Sequence, residues 1–181
     1  MLLYKFLPFE SVDSITRTLQ SFILDINETK TSTYKLDTNQ LLEATPELAQ
    51  QLEHYRFGTM SVARVLITAP NSVLVLHQDG NDVTPKFRAL NWPLLNTKDT
   101  VMRWFDADVL IKNYEEVGYG VFDLYNKDTA VQLDEVEIDQ PALVDINCPH
   151  DVVNPHDTAR FMLSMRFEQE PFHLFANQYE K

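Results

Sequence analysis

Apolar residues recur at helical spacing near the start of the chain and give way, from Ser61 onward, to short β-branched and aromatic runs. After Glu10 and Ser11, the positions Val12, Ile15, Leu19, Phe22 and Ile23 fall on one side of a 3.6-residue repeat, with Asp13 near its start. That spacing predicts a helix over about 11–25. The Thr-rich stretch 27–35 reads as a loop or short strand. Thr45-Pro46-Glu47 then supplies a cap residue followed by Pro at the first helical position, and Leu48 and Leu52 carry a second helix to about Tyr55. Met1 to Phe6 reaches Pro8 before a signal-peptide core of ordinary length can form, so it reads as an early strand.

Turn residues punctuate the second region every eight to twelve positions, the rhythm of a sandwich or barrel. It predicts strands at Val62 to Thr68, Val73 to His77, Arg88 to Leu94, Val101 to Phe105, Tyr119 to Leu124, Val131 to Val136, Ala142 to Ile146 and Arg160 to Phe167. Strands in that number, with helices gathered at one end, predict a mainly β fold: a double-stranded β-helix, jelly-roll and cupin-like, with N-terminal supporting helices. Neither a repeat nor a Gly/Ser- or Pro-rich linker divides the chain. We expect a single domain over 1–181, with 1–58 as mainly helical support, 59–168 as the β-helix core and 169–181 as a tail.

Charge narrows the possible partners. The 181 residues carry 15 Lys+Arg against 27 Asp+Glu, a formal net charge of -12. Tight binding to duplex nucleic acid or to an anionic membrane surface is therefore not expected. The single cysteine, Cys148, makes no internal disulfide and no CxxC pair, which fits a reducing cytoplasm.

The sharpest local feature is His77-Gln78-Asp79, at the end of the apolar run Val73-Leu74-Val75-Leu76. Residues i and i+2 of a strand share a face, so imidazole and carboxylate can bind one cation. The plainer alternative is a histidine at a strand end beside a solvated aspartate. A second histidine from another strand changes the balance. Pro149-His150-Asp151-Val152-Val153-Asn154 follows a predicted strand, and His150 completes a set of two histidines and one carboxylate, which leaves positions open and suits Fe(II) better than structural zinc. Ten residues on, Arg160 can hold the distal carboxylate of a chelating co-substrate through a forked pair of hydrogen bonds.

On these residues the chain resembles the Fe(II)/2-oxoglutarate-dependent oxygenase superfamily, in its aspartyl/asparaginyl and prolyl hydroxylase-like branch, which includes small phage-type members. The resemblance runs from about Thr59 to Phe167. Ala69-Pro70-Asn71-Ser72 matches the approach to the HxD, Arg88 to Asn96 matches the strand after the variable loop, and His150, Val152, Asn154 and Arg160 match the distal element. The resemblance implies that His77, Asp79 and His150 bind Fe(II), that 2-oxoglutarate chelates the metal with its far carboxylate on Arg160, and that O2 takes the remaining position. Hydroxylation of an amino-acid side chain, free or in a peptide, is the implied reaction, on a small-molecule or peptide substrate. Where the superfamily often has Ser or Thr two residues after the anchoring Arg, this chain has Met162, with Ser164 beyond it.

Other residues compete for roles. His156 is the rival third ligand, but four residues before Arg160 leave little chain to close a loop. Arg166 shares strand parity with Arg160 and reads as a rim ion pair or the alternative anchor. Asn91 shares a strand face with Ala89 and Pro93, and reads as a hydrogen-bonding wall of the co-substrate pocket. Trp104 and Phe105 read as core more than as cavity lining, and Cys148 as a small buried hydrophobe. His54 and His173 read as structural or exposed, and 134–139 as a half-solvated strand. The loop Gly80 to Phe87 is expected over the metal, with Lys86 and Arg88 attracting an acidic group. Two alternatives stand beside the oxygenase: a non-catalytic jelly-roll binding or assembly protein with a structural or vestigial metal site, and a cupin-type metal enzyme that has no use for Arg160.

Overall fold

The structure is a computed structural model and describes residues 2–23, 26, 30–79, 88–116, 120–169, 171 and 173–176. In chain order the elements are β1 (Tyr4–Phe6), α1 (Val12–Ser21), β2 (Ser32–Leu36), α2 (Thr38–Ala44), α3 (Pro46–His54), β3 (Met60–Thr68), β4 (Ser72–Val73) and β5 (His77–Asp79). They continue with β6 (Ala89–Leu95), β7 (Val101–Asp106), β8 (Val109–Glu116), β9 (Gly120–Tyr125), β10 (Val131–Glu137), β11 (Ala142–Val144), β12 (His150–Asn154), β13 (Arg160–Phe167) and α4 (His173–Ala176).

Two antiparallel sheets face each other. One has the order β1-β11-β6-β13-β3-β2; the other runs β10-β7-β12-β5-β9-β8, with β4 paired to β12. This mainly β, two-sheet arrangement is the double-stranded β-helix of a cupin-like jelly roll. Each face of the first sheet buries its own core because strand side chains alternate. On β13, Phe161, Leu163, Met165 and Phe167 join Leu90, Trp92 and Val65 beneath α1, α2 and α3, whose Ile15, Leu19, Leu41, Leu48 and Leu52 are buried against them. The opposite face sends Met162, Ala89 and Val144 toward Met102, Trp104 and Val152 of the second sheet. The helices thus cover the outer face of one sheet and leave the space between the sheets for the site.

Several elements differ from expectation. α1 ends at Ser21, short of the anticipated helix. Thr45 does not cap α3 through its side chain; its hydroxyl donates to Leu41 O and closes α2, a helix the pattern did not predict. α2 is capped by Asp37, whose carboxylate accepts from Asn39 N and Gln40 N. The expected strand Val73 to His77 is split, Leu74 to Leu76 lying outside β4 and β5 although Leu74 N still donates to Val152 O and Leu76 O accepts from Tyr125 N, and β8 and β12 were not anticipated as strands. The first 58 residues also do more than support: β1 and β2 form both edges of the first sheet. Among the described residues no helix is long and apolar enough to cross a membrane.

Candidate metal centre and its cavity

Register puts the two histidines side by side. β12 and β5 run antiparallel with His150 opposite His77, and their ring centroids are 4.5 Å apart. Asp79, two residues along β5, returns to the same face, with its Oδ1 3.6 Å from His77 Nε2. One ligand atom from each of His77, Asp79 and His150 lies within 4.8 Å of the others.

The imidazoles are held in the tautomer that ligation requires. His77 Nδ1 lies 2.8 Å from Val75 O, and His150 Nδ1 lies 2.9 Å from Cys148 O. A carbonyl only accepts, so each Nδ1 carries a proton and Nε2 is the nitrogen left to ligate a metal. In both cases the acceptor is the carbonyl two residues earlier on the same chain segment. Burial and the neighbouring His77 hold His150 down to about 4, so its ring is neutral at pH 7. For Asp79, burial pushes the carboxyl upward, but Arg166 and the two histidines outweigh it and hold the group below the usual carboxylate range. Arg166 Nη2 donates to Asp79 Oδ2 at 2.9 Å, leaving the other oxygen on the histidine side. Two imidazole nitrogens and a carboxylate oxygen on one face fit a divalent transition metal that keeps open positions.

These groups line a cavity of about 310 Å3 between the sheets, with apolar walls that include Leu66, Met102, Phe122, Ile146 and Val152. Arg160 enters it from the start of β13 and is 4% exposed. Its Nε donates to Thr100 Oγ1 at 3.2 Å, and the Thr100 hydroxyl in turn donates to Thr97 O. Among the described residues no carboxylate is paired with Arg160. Burial lowers its pKa to about 10, which still leaves the guanidinium charged at pH 7. Asn154 fixes the turn that leads into Arg160: its Nδ2 donates to Thr68 O, Ala69 O and Thr158 O, and its Oδ1 accepts from His156 N.

Asn91 lies on the cavity face of β6, opposite Ser164 of β13, and both are buried. Asn91 Oδ1 has no hydrogen-bond partner. A buried acceptor left unpaired is costly, so a donor from a ligand or water is expected there.

Other candidates lie elsewhere. His156 Nε2 faces Lys98 O at 2.7 Å, and His173 Nε2 faces Tyr55 O at 2.8 Å. His54 packs edge-on against Tyr55. Trp104 is fully buried between the sheets with its indole N–H on Asp145 O. Arg88, expected to attract substrate, forms an ion pair with buried Asp145 instead. The loop Gly80 to Phe87, with Lys86, lies outside the described residues. Sequence reasoning missed Arg64, which faces the cavity from β3, and Thr100. The available signal for Arg64 was a lone cation in the alternating run Val62, Arg64, Leu66 of an otherwise apolar strand.

Cys148 is buried, with its thiol toward Phe105 O, and desolvation together with Asp145 pushes its pKa up to about 11. At pH 8 the native protein is therefore expected to resist iodoacetamide and to take up one label per chain once unfolded in guanidinium. Rapid labelling of the native protein would contradict this placement.

No protein-family model matches the sequence, and no curated protein matches it. Solved structures do resemble the fold. A prolyl-4-hydroxylase from Pseudomonas putida superimposes with a TM-score of 0.48 at 16% identity, covering 93% of each chain. HygX from Streptomyces hygroscopicus, with nickel and 2-oxoglutarate bound, gives 0.47 at 13% identity over 90% of this chain and 80% of that one. A Bacillus subtilis oxalate decarboxylase gives 0.36 at 12% identity, with 79% of this chain spanning 27% of that protein. These likenesses concern overall shape.

Proposed function

We propose that this chain is an Fe(II)- and 2-oxoglutarate-dependent dioxygenase that hydroxylates an amino-acid side chain, free or in a peptide. The observation that carries the reading is one cavity holding both the His77, Asp79 and His150 cluster and the buried guanidinium of Arg160, which no carboxylate among the described residues pairs. Structural metal sites are closed and have no use for a charged arginine buried in the same cavity.

In this reading His77, Asp79 and His150 hold the iron, and Arg160 pairs with the distal carboxylate of 2-oxoglutarate. Bound there, Fe(II) with 2-oxoglutarate and O2 supplies oxidative decarboxylation: one oxygen atom enters succinate, CO2 leaves, and the other oxygen enters a substrate C–H bond. The protein's own part is placement. Arg166 fixes the orientation of the Asp79 carboxylate, the carbonyls of Val75 and Cys148 fix the imidazoles, and Asn91 Oδ1 accepts from a donor of the substrate or of a bound water. The apolar walls exclude water from the reacting bond.

Anaerobic titration of Fe(II)-loaded protein with 2-oxoglutarate tests this. A weak visible charge-transfer band that saturates with co-substrate is expected. Its absence, together with metal-independent binding or none, would overturn the proposal in favour of a binding or assembly role.

A further inference from the structure

The second sheet continues past the metal ligands. β9 pairs with β5, setting Leu124 opposite His77 and Phe122 opposite Asp79, and β8 pairs with β9, setting Ile111 opposite Leu124 and Tyr114 opposite Phe122. Paired residues of an antiparallel ladder share a face, so Ile111, Tyr114, Phe122 and Leu124 all stand on the side of the sheet that bears His77 and Asp79. Strand parity alone would not do this. Ile111 and Tyr114 are three positions apart and would point to opposite faces of a regular strand. The register slips by one residue between them, Asn113 takes the left-handed region at φ 53°, and its N–H donates to the buried Asp123 carboxylate at 2.8 Å. That bulge returns Tyr114 to the face of the ligands.

The result is an apolar shelf that begins inside the cavity and runs out to the sheet edge. The Phe122 ring lies 5.6 Å from that of His77 and 5.4 Å from that of Tyr114, in T-shaped contact with both. Phe122 lines the cavity and is buried, whereas Tyr114 and Ile111 on β8 remain 37% and 43% exposed. Val73 and Val75 of the cavity lining are half-exposed as well. Large apolar side chains gathered in solvent next to a cavity mark a surface that a ligand covers. The reach of the shelf selects the ligand. Neighbouring strands are about 4.8 Å apart, so β8 stands about 10 Å from β5. One residue spans at most about 3.6 Å of chain. A free amino acid held at the metal therefore stops short of β8, whereas an extended peptide arrives there in about three residues.

We infer that the β8–β9 shelf is a substrate subsite, which takes an apolar side chain about three residues along a peptide from the residue that is oxidised. The inference rests on the oxygenase reading and decides its open choice between a free amino acid and a peptide. Tyr114 and Ile111 supply contact area and no chemistry, so they set which peptide binds and leave metal and co-substrate binding unchanged.

Equilibrium dialysis against anaerobic protein loaded with Fe(II) and 2-oxoglutarate tests this. The probes are two pools of N-acetylated, C-amidated pentapeptides of random sequence, one containing and one lacking Leu, Ile, Val and Phe, and a mixture of the free amino acids. Wild-type protein is expected to accumulate about fivefold more peptide from the first pool than from the second. Ile111→Ser with Tyr114→Ser should bring the two pools to parity, while Ile111→Val with Tyr114→Phe should keep the difference. No peptide accumulation by wild type, equal accumulation from both pools, free amino acids accumulating in place of peptide, or a difference undiminished in the serine variant would each overturn the inference. So would a dimer that excludes peptide and that the serine substitutions dissociate, since the shelf would then belong to a second copy. The charge-transfer titration on the same samples separates the two levels: with the band present only the shelf assignment falls, and with no band the oxygenase reading falls too.

Discussion

Replacing Arg160 by Met is expected to lower the affinity of the Fe(II)-loaded protein for 2-oxoglutarate by about 10²- to 10³-fold without destabilising the apo-protein. Breaking one side of a buried, hydrogen-bonded charge pair costs about 3–5 kcal/mol, and each 1.4 kcal/mol is about tenfold in affinity. The apo-protein behaves differently because its guanidinium is buried against Thr100, with no carboxylate beside it among the described residues. Removing an uncompensated buried charge in favour of an apolar side chain of similar length is neutral or stabilising. The two readouts are the midpoint of the charge-transfer titration and the apo melting temperature. Arg160→Lys keeps the charge without the fork, so its affinity should fall between those of wild type and Arg160→Met. An unchanged midpoint in Arg160→Met would remove Arg160 from the co-substrate site.

The second large effect is expected at His150. His150→Ala should weaken Fe(II) binding well beyond the roughly 10- to 100-fold that partners of the ligands themselves control. His156→Ala should leave it within about threefold, because the His156 ring is turned to Lys98 O. The contrast is read by metal content after gel filtration and by competition with a chelator. Equal losses in the two variants would mean that the cluster on β5 and β12 is not the metal site.

The faces of β6 and β13 were legible from strand parity: Asn91 was separated from Leu90 and Trp92, and Arg160 and Arg166 were given one parity, the one that Met162 and Ser164 share with them. The juxtaposition of His77 with His150 was expected from ligand chemistry and from the resemblance, while nothing local in either segment fixes the register that pairs them. β12 escaped because its polar residues are buried rather than solvated. Asp151 is 1% exposed and accepts a fork of hydrogen bonds from Arg103 Nε and Nη2 across the sheet, so the segment His150–Asn154 lacks the alternation of a half-exposed strand. β8 escaped for the opposite reason: Val109, Leu110 and Ile111 form an apolar run that the structure leaves exposed at a sheet edge. Arg166 was expected to pair at a rim, but its partner, Asp79, is 87 residues away in sequence, a separation that leaves no local pattern to read.

The alternation of β13 imposes a constraint of its own. One strand supplies the floor on which the helices rest and the polar groups that face the cavity, and only the parity of its residues keeps the two apart. Inserting or deleting a single residue between Arg160 and Arg166 would put the two arginines on opposite faces, turning one of them into the packed layer beneath the helices and residues of that layer toward the cavity. That stretch behaves like a reading frame: exchange of one side chain for another of similar kind is a local event, whereas a shift of one position disturbs fold and site at one stroke.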